Sequence, residues 1–136
     1  MRGDAIDTQV GGDHYKCMVI QPVEFALVNR LNTCQANIIK YVCRFRAKGG
    51  AIDLEKAAHY CLLWVEFAAR YRQTVFKPWA IQPVFVISPE EFVAANGLGR
   101  VEAQIIDRVC YADGAPDALE AHELIIQLLG EFNERD

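Results

Sequence analysis

The sequence predicts an all-α protein made of two related three-helix units, at about residues 20–72 and 87–133, and three observations predict it. Apolar residues recur at helical spacing on either side of a Lys48-Gly49-Gly50 break, so the stretch from Cys34 to Val65 reads as a helical hairpin. The run IQPVEFALVNRLNTCQANIIKYVCRF from Ile20 aligns without a gap to ISPEEFVAANGLGRVEAQIIDRVCYA from Ile87, with eleven identities in twenty-six positions. Both runs carry an early proline, Pro22 and Pro89, where the first turn of a helix tolerates a missing N–H. The chain therefore reads as a tandem duplication. A hairpin this small buries little apolar surface alone, and packing two copies about a pseudo-two-fold axis gives one compact domain a sufficient core.

Residues 1–19 show no periodicity. Within them Gly11-Gly12-Asp13-His14-Tyr15 forms a glycine-rich loop whose backbone N–H groups can approach a ligand closely, although a double glycine is more often a simple turn. The first helix starts near Pro22, with Glu24 at the positive end of its dipole, and runs to about Leu31. Asn32-Thr33 offers a cap for the second helix. That helix sets Ile38, Ile39, Val42, Cys43 and Phe45 on apolar positions, while Asn37, Lys40, Tyr41, Arg44 and Lys48 recur on polar ones. Asp53 stands near the start of a third helix, which buries Leu54, Ala57, Ala58, Cys61, Leu62 and Val65 and continues to about Tyr71. Residues 73–86 carry two prolines among β-branched and aromatic residues and read as a partly extended connector. Its Trp79 and Phe85 cover the core; stacking on a base or lining an oligomer interface is the functional alternative.

The identities between the copies are mainly apolar positions, proline and Asn29/Asn96, which preserve packing. The cationic positions change: Lys40 aligns with Asp107, Arg44 with Tyr111, Arg46 with Asp113 and, after a short gap, His59 with Leu124. No GGDHY counterpart precedes Ile87. The second copy thus reads as a degenerate scaffold. A magnesium-binding cluster of Glu120, Glu123, Glu131 and Glu134 is the functional alternative there to a solvated acidic face.

Net charge is −4, unevenly spread: residues 1–86 carry 11 Lys/Arg against 7 Asp/Glu, and residues 87–136 carry 3 against 11. An anionic partner would meet the first part, and the asymmetry also favours head-to-tail contacts in a homo-oligomer. Long nucleic acid is a poor fit, because a duplex binder spreads cations over a wider surface; a small anion fits better. No apolar run approaches the roughly 20 residues needed to cross a membrane, and MRGDAIDTQVGGDHY lacks the apolar core of a secretory signal, so a cytoplasmic location is expected. Five scattered cysteines without a CxxC pair suggest neither a disulfide framework nor a zinc knuckle.

The candidate site lies on the first hairpin. A short turn folds the third helix back and brings Lys56, His59 and Tyr60 towards the polar face of the second, so that Lys40, Arg44, Lys56 and His59 can converge on a phosphate. A solvated face of an amphipathic helix is the simpler reading of the same spacing. His14 is a candidate for ligand contact or proton transfer, since imidazole ordinarily titrates near neutrality.

The run VGGDHY at residues 10–15, with IQPVEF at 20–25, NIIKYVCRFRAKGG at 37–50 and DLEKAAHY at 53–60, resembles the SaV-like phage domain, long of unknown function. At least one member is a deoxynucleoside monophosphate kinase unrelated to P-loop kinases. The resemblance covers roughly residues 9–67. It implies a helical nucleotide-handling protein of a phage, working in the host cytoplasm, with Gly11, Gly12, His14, Tyr15, Pro22, Asn37, Lys40, Tyr41, Arg44, Lys48, Asp53, Lys56 and Tyr60 as site positions. Ala36 stands where the family often has glycine, and Phe45 where it has tyrosine. No GxxxxGK[ST] loop occurs, so a kinase of this sequence cradles phosphates in another way. Lys40, Arg44, Lys48 and Lys56 would hold phosphates, Asp53 or His14 would orient the acceptor or move a proton, and Tyr15 or Tyr41 would stack on a base. No cofactor is implied beyond magnesium arriving with a nucleotide. Three functions fit: a nucleotide kinase or phosphotransferase, a protein that sequesters a nucleotide or nucleotide signal, and an inhibitor of a host protein complex acting through the acidic copy or the connector.

Overall fold

A computed structural model describes residues 18–71 and 84–135. These form six α-helices: α1 (Pro22–Val28), α2 (Thr33–Arg44), α3 (Gly50–Tyr71), α4 (Pro89–Asn96), α5 (Arg100–Cys110) and α6 (Ala115–Arg135). The all-α expectation holds, with no strand among the described residues. No helix among them is long and apolar enough to cross a membrane.

Local chemistry sets the ends. The Asn32 side chain accepts from the Gln35 backbone N–H, and the Gln35 side chain accepts from Asn32 N–H, so α2 opens with a full capping box. Helix α1 stops at Val28, short of the expected Leu31, because Arg30 turns left-handed at φ 55° and lets Leu31 N–H fold back onto the Ala26 carbonyl. At the matching end of α4, Gly97 takes φ 60° and Leu98 N–H bonds the Val93 carbonyl.

Helices α3 and α6 form the most extensive contact, α2 packs on α3 and α5 on α6, and α2 meets α5. The core runs through Phe25, Ile38, Ile39, Phe45, Leu54 and Trp64 of the first half into Phe92, Ile105, Ile106, Ile125 and Leu128 of the second. Phe25 and Phe92, aligned residues, stack with centroids 4.2 Å apart. Asn29 Nδ2 donates to the Ile87 carbonyl at 2.8 Å and its Oδ1 accepts from Val86 and Ile87 N–H. Asn96 does the same to Ile20, donating at 2.8 Å and accepting at 3.0 Å. Each half therefore satisfies the backbone of the other half's strap before its first helix. Asn29→Ala strands two donors and a carbonyl at this seam and is expected to cost about 1–3 kcal/mol in chemical denaturation; a loss below about 0.5 kcal/mol would mean water replaces the amide.

Two of the four described cysteines, Cys61 and Cys110, are buried, while Cys34 and Cys43 are half-buried. Burial pushes the Cys61 thiol up to about 12, and burial with the nearby Glu102 charge raises Cys43 as well. Neither thiol is a nucleophile at neutral pH.

Candidate functional site

The α2–α3 hairpin carries an unusual arrangement around Tyr41. Lys40 Nζ lies 4.4 Å, Arg44 Cζ 4.9 Å and Lys56 Nζ 5.4 Å from the centre of its ring. Helical geometry explains this: Lys40 and Arg44 flank Tyr41 on one face of α2, and the turn through Gly49 brings α3 alongside with Lys56 at matching height. Tyr60 stacks nearly parallel to Tyr41 at 6.2 Å. Beside them opens a recess of about 510 Å³ lined by Tyr41, Ile52, Glu55, Lys56, His59, Tyr60 and Leu63. The expected grouping of Lys40, Tyr41, Arg44, Lys56, His59 and Tyr60 is thus brought together. Lys48 is exposed in the turn and does not line the recess. Asn37 donates to the Thr33 carbonyl and, with Lys40, lines a second cavity of about 170 Å³ between α1 and α2. Gly11, Gly12, His14 and Tyr15 lie outside the described residues, as does Trp79.

Asp53 has a different setting from the one expected of an acid or base. It is 1% exposed, its carboxylate takes a two-pronged hydrogen bond from Arg44 at 2.9 and 3.1 Å, and it accepts Gly49 N–H at 3.1 Å. The group fixes the turn and aims Arg44; its oxygens are engaged by protein donors. A Cβ on Gly49 would overlap that carboxylate, so glycine is required by close approach at this position.

The second half answers with another chemistry. Burial pairs Leu54 with Ala118, Cys61 with Ile125 and Trp64 with Leu128, and the cap from Asp113 N–H to Asp117 mirrors that from Gly49 to Asp53. Leu119, which the sequence aligns with Leu54, is 44% exposed, whereas its neighbour Ala118 is buried. At the same spacing of 64 residues, Glu123 takes the position of His59 and Glu120 that of Lys56. The corresponding recess is lined by Arg108, Glu120, Glu123, Leu124 and Gln127, and an Arg108–Glu120 ion pair of 2.7 Å spans it. Among the described residues no three carboxylate, imidazole or thiol groups converge as metal ligands. The alternative reading of Glu120, Glu123, Glu131 and Glu134 as a magnesium cluster therefore gives way to the solvated acidic face: Glu120 pairs with Arg108, and Glu131 accepts from Gln127.

Sequence reading missed the walls. Ile52, Glu55 and Leu63 share one face of α3 with Lys56, His59 and Tyr60, and Ile52 is left 61% exposed at the rim. The signal was the i, i+3, i+4 spacing of that face, which by itself is equally consistent with core or surface.

A family model described as a protein of unknown function, DUF3310, matches residues 10–61. That span holds α1, α2 and the first half of α3, with every cation of the Tyr41 cluster. No curated protein and no solved structure matches the chain.

Proposed function

We propose that this protein binds a nucleoside monophosphate at the cationic α2–α3 hairpin and phosphorylates it from a triphosphate donor without a P-loop. The observation that carries this is the gathering of Lys40, Arg44 and Lys56 around one tyrosine ring, where Asp53 pairs with Arg44. Three like charges held together repel, and an anion relieves the repulsion. The recess lined by Tyr41, Tyr60, Ile52 and Leu63 leaves room beside that charge for the sugar and phosphates of such a ligand. The likeness of residues 9–67 to a phage domain that includes a deoxynucleoside monophosphate kinase supports the same reading.

The chemistry asks little more. An acceptor monophosphate has already lost its second proton near neutral pH, so its oxygen attacks the donor's terminal phosphorus without a strong base. The bond to the donor's leaving oxygen breaks, a new P–O–P bridge forms, and two diphosphates result. Catalysis then rests on alignment and on cations that offset charge on the transferred group. His59 and Lys56 stand at the rim where incoming phosphates pass, and Asp53 keeps Arg44 in place. Magnesium arriving with the donor triphosphate would add to that charge neutralisation.

Lys40→Ala and Lys56→Ala are each expected to weaken monophosphate binding about tenfold or more in calorimetric titration, since a charge-assisted hydrogen bond contributes about 1.5–3 kcal/mol. Lys56 is exposed and Lys40 half-buried with no ion pair among the described residues, so both variants should fold. Diphosphate formation from a monophosphate and a triphosphate, followed by chromatography, tests transfer. Binding without turnover would leave a sequestering protein, and unchanged affinity in both variants would remove the site from this hairpin.

The reciprocal Asn29–Ile87 and Asn96–Ile20 bonds and the Phe25–Phe92 stack support descent of the two halves from one unit that once paired with itself. On that reading the second half kept the seam and lost the cations, leaving one anion site per chain.

A further inference from the structure

We infer that the cavity between α1 and α2 seats the nucleobase of the nucleotide whose phosphate Lys40 helps to hold. The inference rests on the nucleotide reading above and assigns the base to one place.

The cavity is lined by Pro22, Val23 and Ala26 of α1 and by Ala36, Asn37 and Lys40 of α2. Its volume of about 170 Å³ lies below the range of roughly 300–1,000 Å³ that holds a whole drug-sized ligand, and suits a single ring system. The walls are apolar, with polar groups along the α2 edge, where Asn37 and Lys40 sit one helical turn apart. Asn37 Nδ2 is tied to the Thr33 carbonyl at 2.9 Å, which orients the amide; Oδ1 has no bond to another described residue and can accept from a ring N–H or an exocyclic amine. Lys40 lies on the cavity wall with its Nζ over Tyr41, the residue that also lines the recess. A base in the cavity therefore leaves its phosphate beside the cationic cluster, which is the charge complementarity the ligand requires.

The second half shows that packing does not demand this space. Its first two helices keep Pro89 and Ala103 at the matched positions, and Phe92 mirrors Phe25. Yet Val93 stands where Ala26 does, Glu90 where Val23 does, and Asp107 where Lys40 does. Val93 is half-buried against the core, so a valine is accommodated at that helical position, whereas Ala26 lines an open cavity.

Ala26→Val places the second half's own residue in the cavity and tests the assignment. Full-length wild type and variant are titrated with a panel of nucleoside monophosphates and with inorganic tripolyphosphate, which can occupy the cations alone. Monophosphate affinity is expected to fall about tenfold or more while tripolyphosphate affinity stays within twofold. Asn37→Ala, at a half-exposed position, is expected to compress the spread of affinities across the four bases. Unchanged monophosphate affinity in Ala26→Val would overturn the base site. So would an equal loss for both ligands, because the variant would then act through the fold or the cations. If Lys40→Ala and Lys56→Ala also leave nucleotide affinity unchanged, the nucleotide reading itself falls; if they abolish it while Ala26→Val does not, only the base site does.

Discussion

Asp53→Ala is expected to lower the free energy of unfolding by about 3–5 kcal/mol, the usual consequence of deleting one member of a buried ion pair. The carboxylate is buried, whereas the Arg44 side chain retains 17% exposure, so water recovers part of the guanidinium's solvation and the lower end of that range is the better expectation. Three losses coincide. Arg44 loses its two hydrogen bonds to this carboxylate, Gly49 N–H loses its acceptor, and the positive charges around Tyr41 lose a buried counter-charge. Asp53→Asn retains an acceptor for Gly49 and should lose less. Urea denaturation with an unchanged slope is the measurement, and a loss under about 1 kcal/mol in Asp53→Ala would show that the turn does not depend on this group. The same geometry separates support from chemistry: a variant that stays folded but misplaces Arg44 should bind monophosphate more weakly even under conditions where it is fully native.

Phe25→Ala and Phe92→Ala should each cost about 3–5 kcal/mol, because each removes a fully buried ring and leaves a cavity where helices of the two halves meet. Against a total stability of about 5–15 kcal/mol, either change takes a large share. The double variant should lose less than the sum, since part of each single loss is the ring–ring contact of about 0.5–1.5 kcal/mol. Both single variants should unfold in one transition, at similar denaturant concentrations, because each half completes the core of the other. Two separated transitions in Phe92→Ala, with the first half unmoved, would show instead that residues 18–71 fold alone.

Much of this was legible in the chain. Helical periodicity marks α2 and α3 because one face of each must meet the core, and such a face repeats every three or four residues whatever the partner. Asn32 and Pro22 mark starts because a helix's first N–H groups need an acceptor or no donor at all. The gathering of Lys40, Arg44 and Lys56 could be anticipated because a short turn leaves few ways for α3 to return along α2.

Other features had no local signature. The partner of Asp53 is set by the closeness of Gly49, and a carboxylate in a first turn looks the same whether it faces water or an arginine. The exposure of Leu119 had none either: it matches Leu54 in type but lies on the outer face. Asn29 and Asn96 are visible as repeated residues, but their bonds to Ile87 and Ile20 span 58 and 76 positions of chain. Composition and spacing by themselves determined the all-α class and the side of the hairpin that carries positive charge, because those depend on interactions within a few residues. Which charges are neutralised, which alanine leaves a cavity and how the halves interlock were decided only by the tertiary structure, because burial and pairing belong to groups brought together from distant parts of the chain.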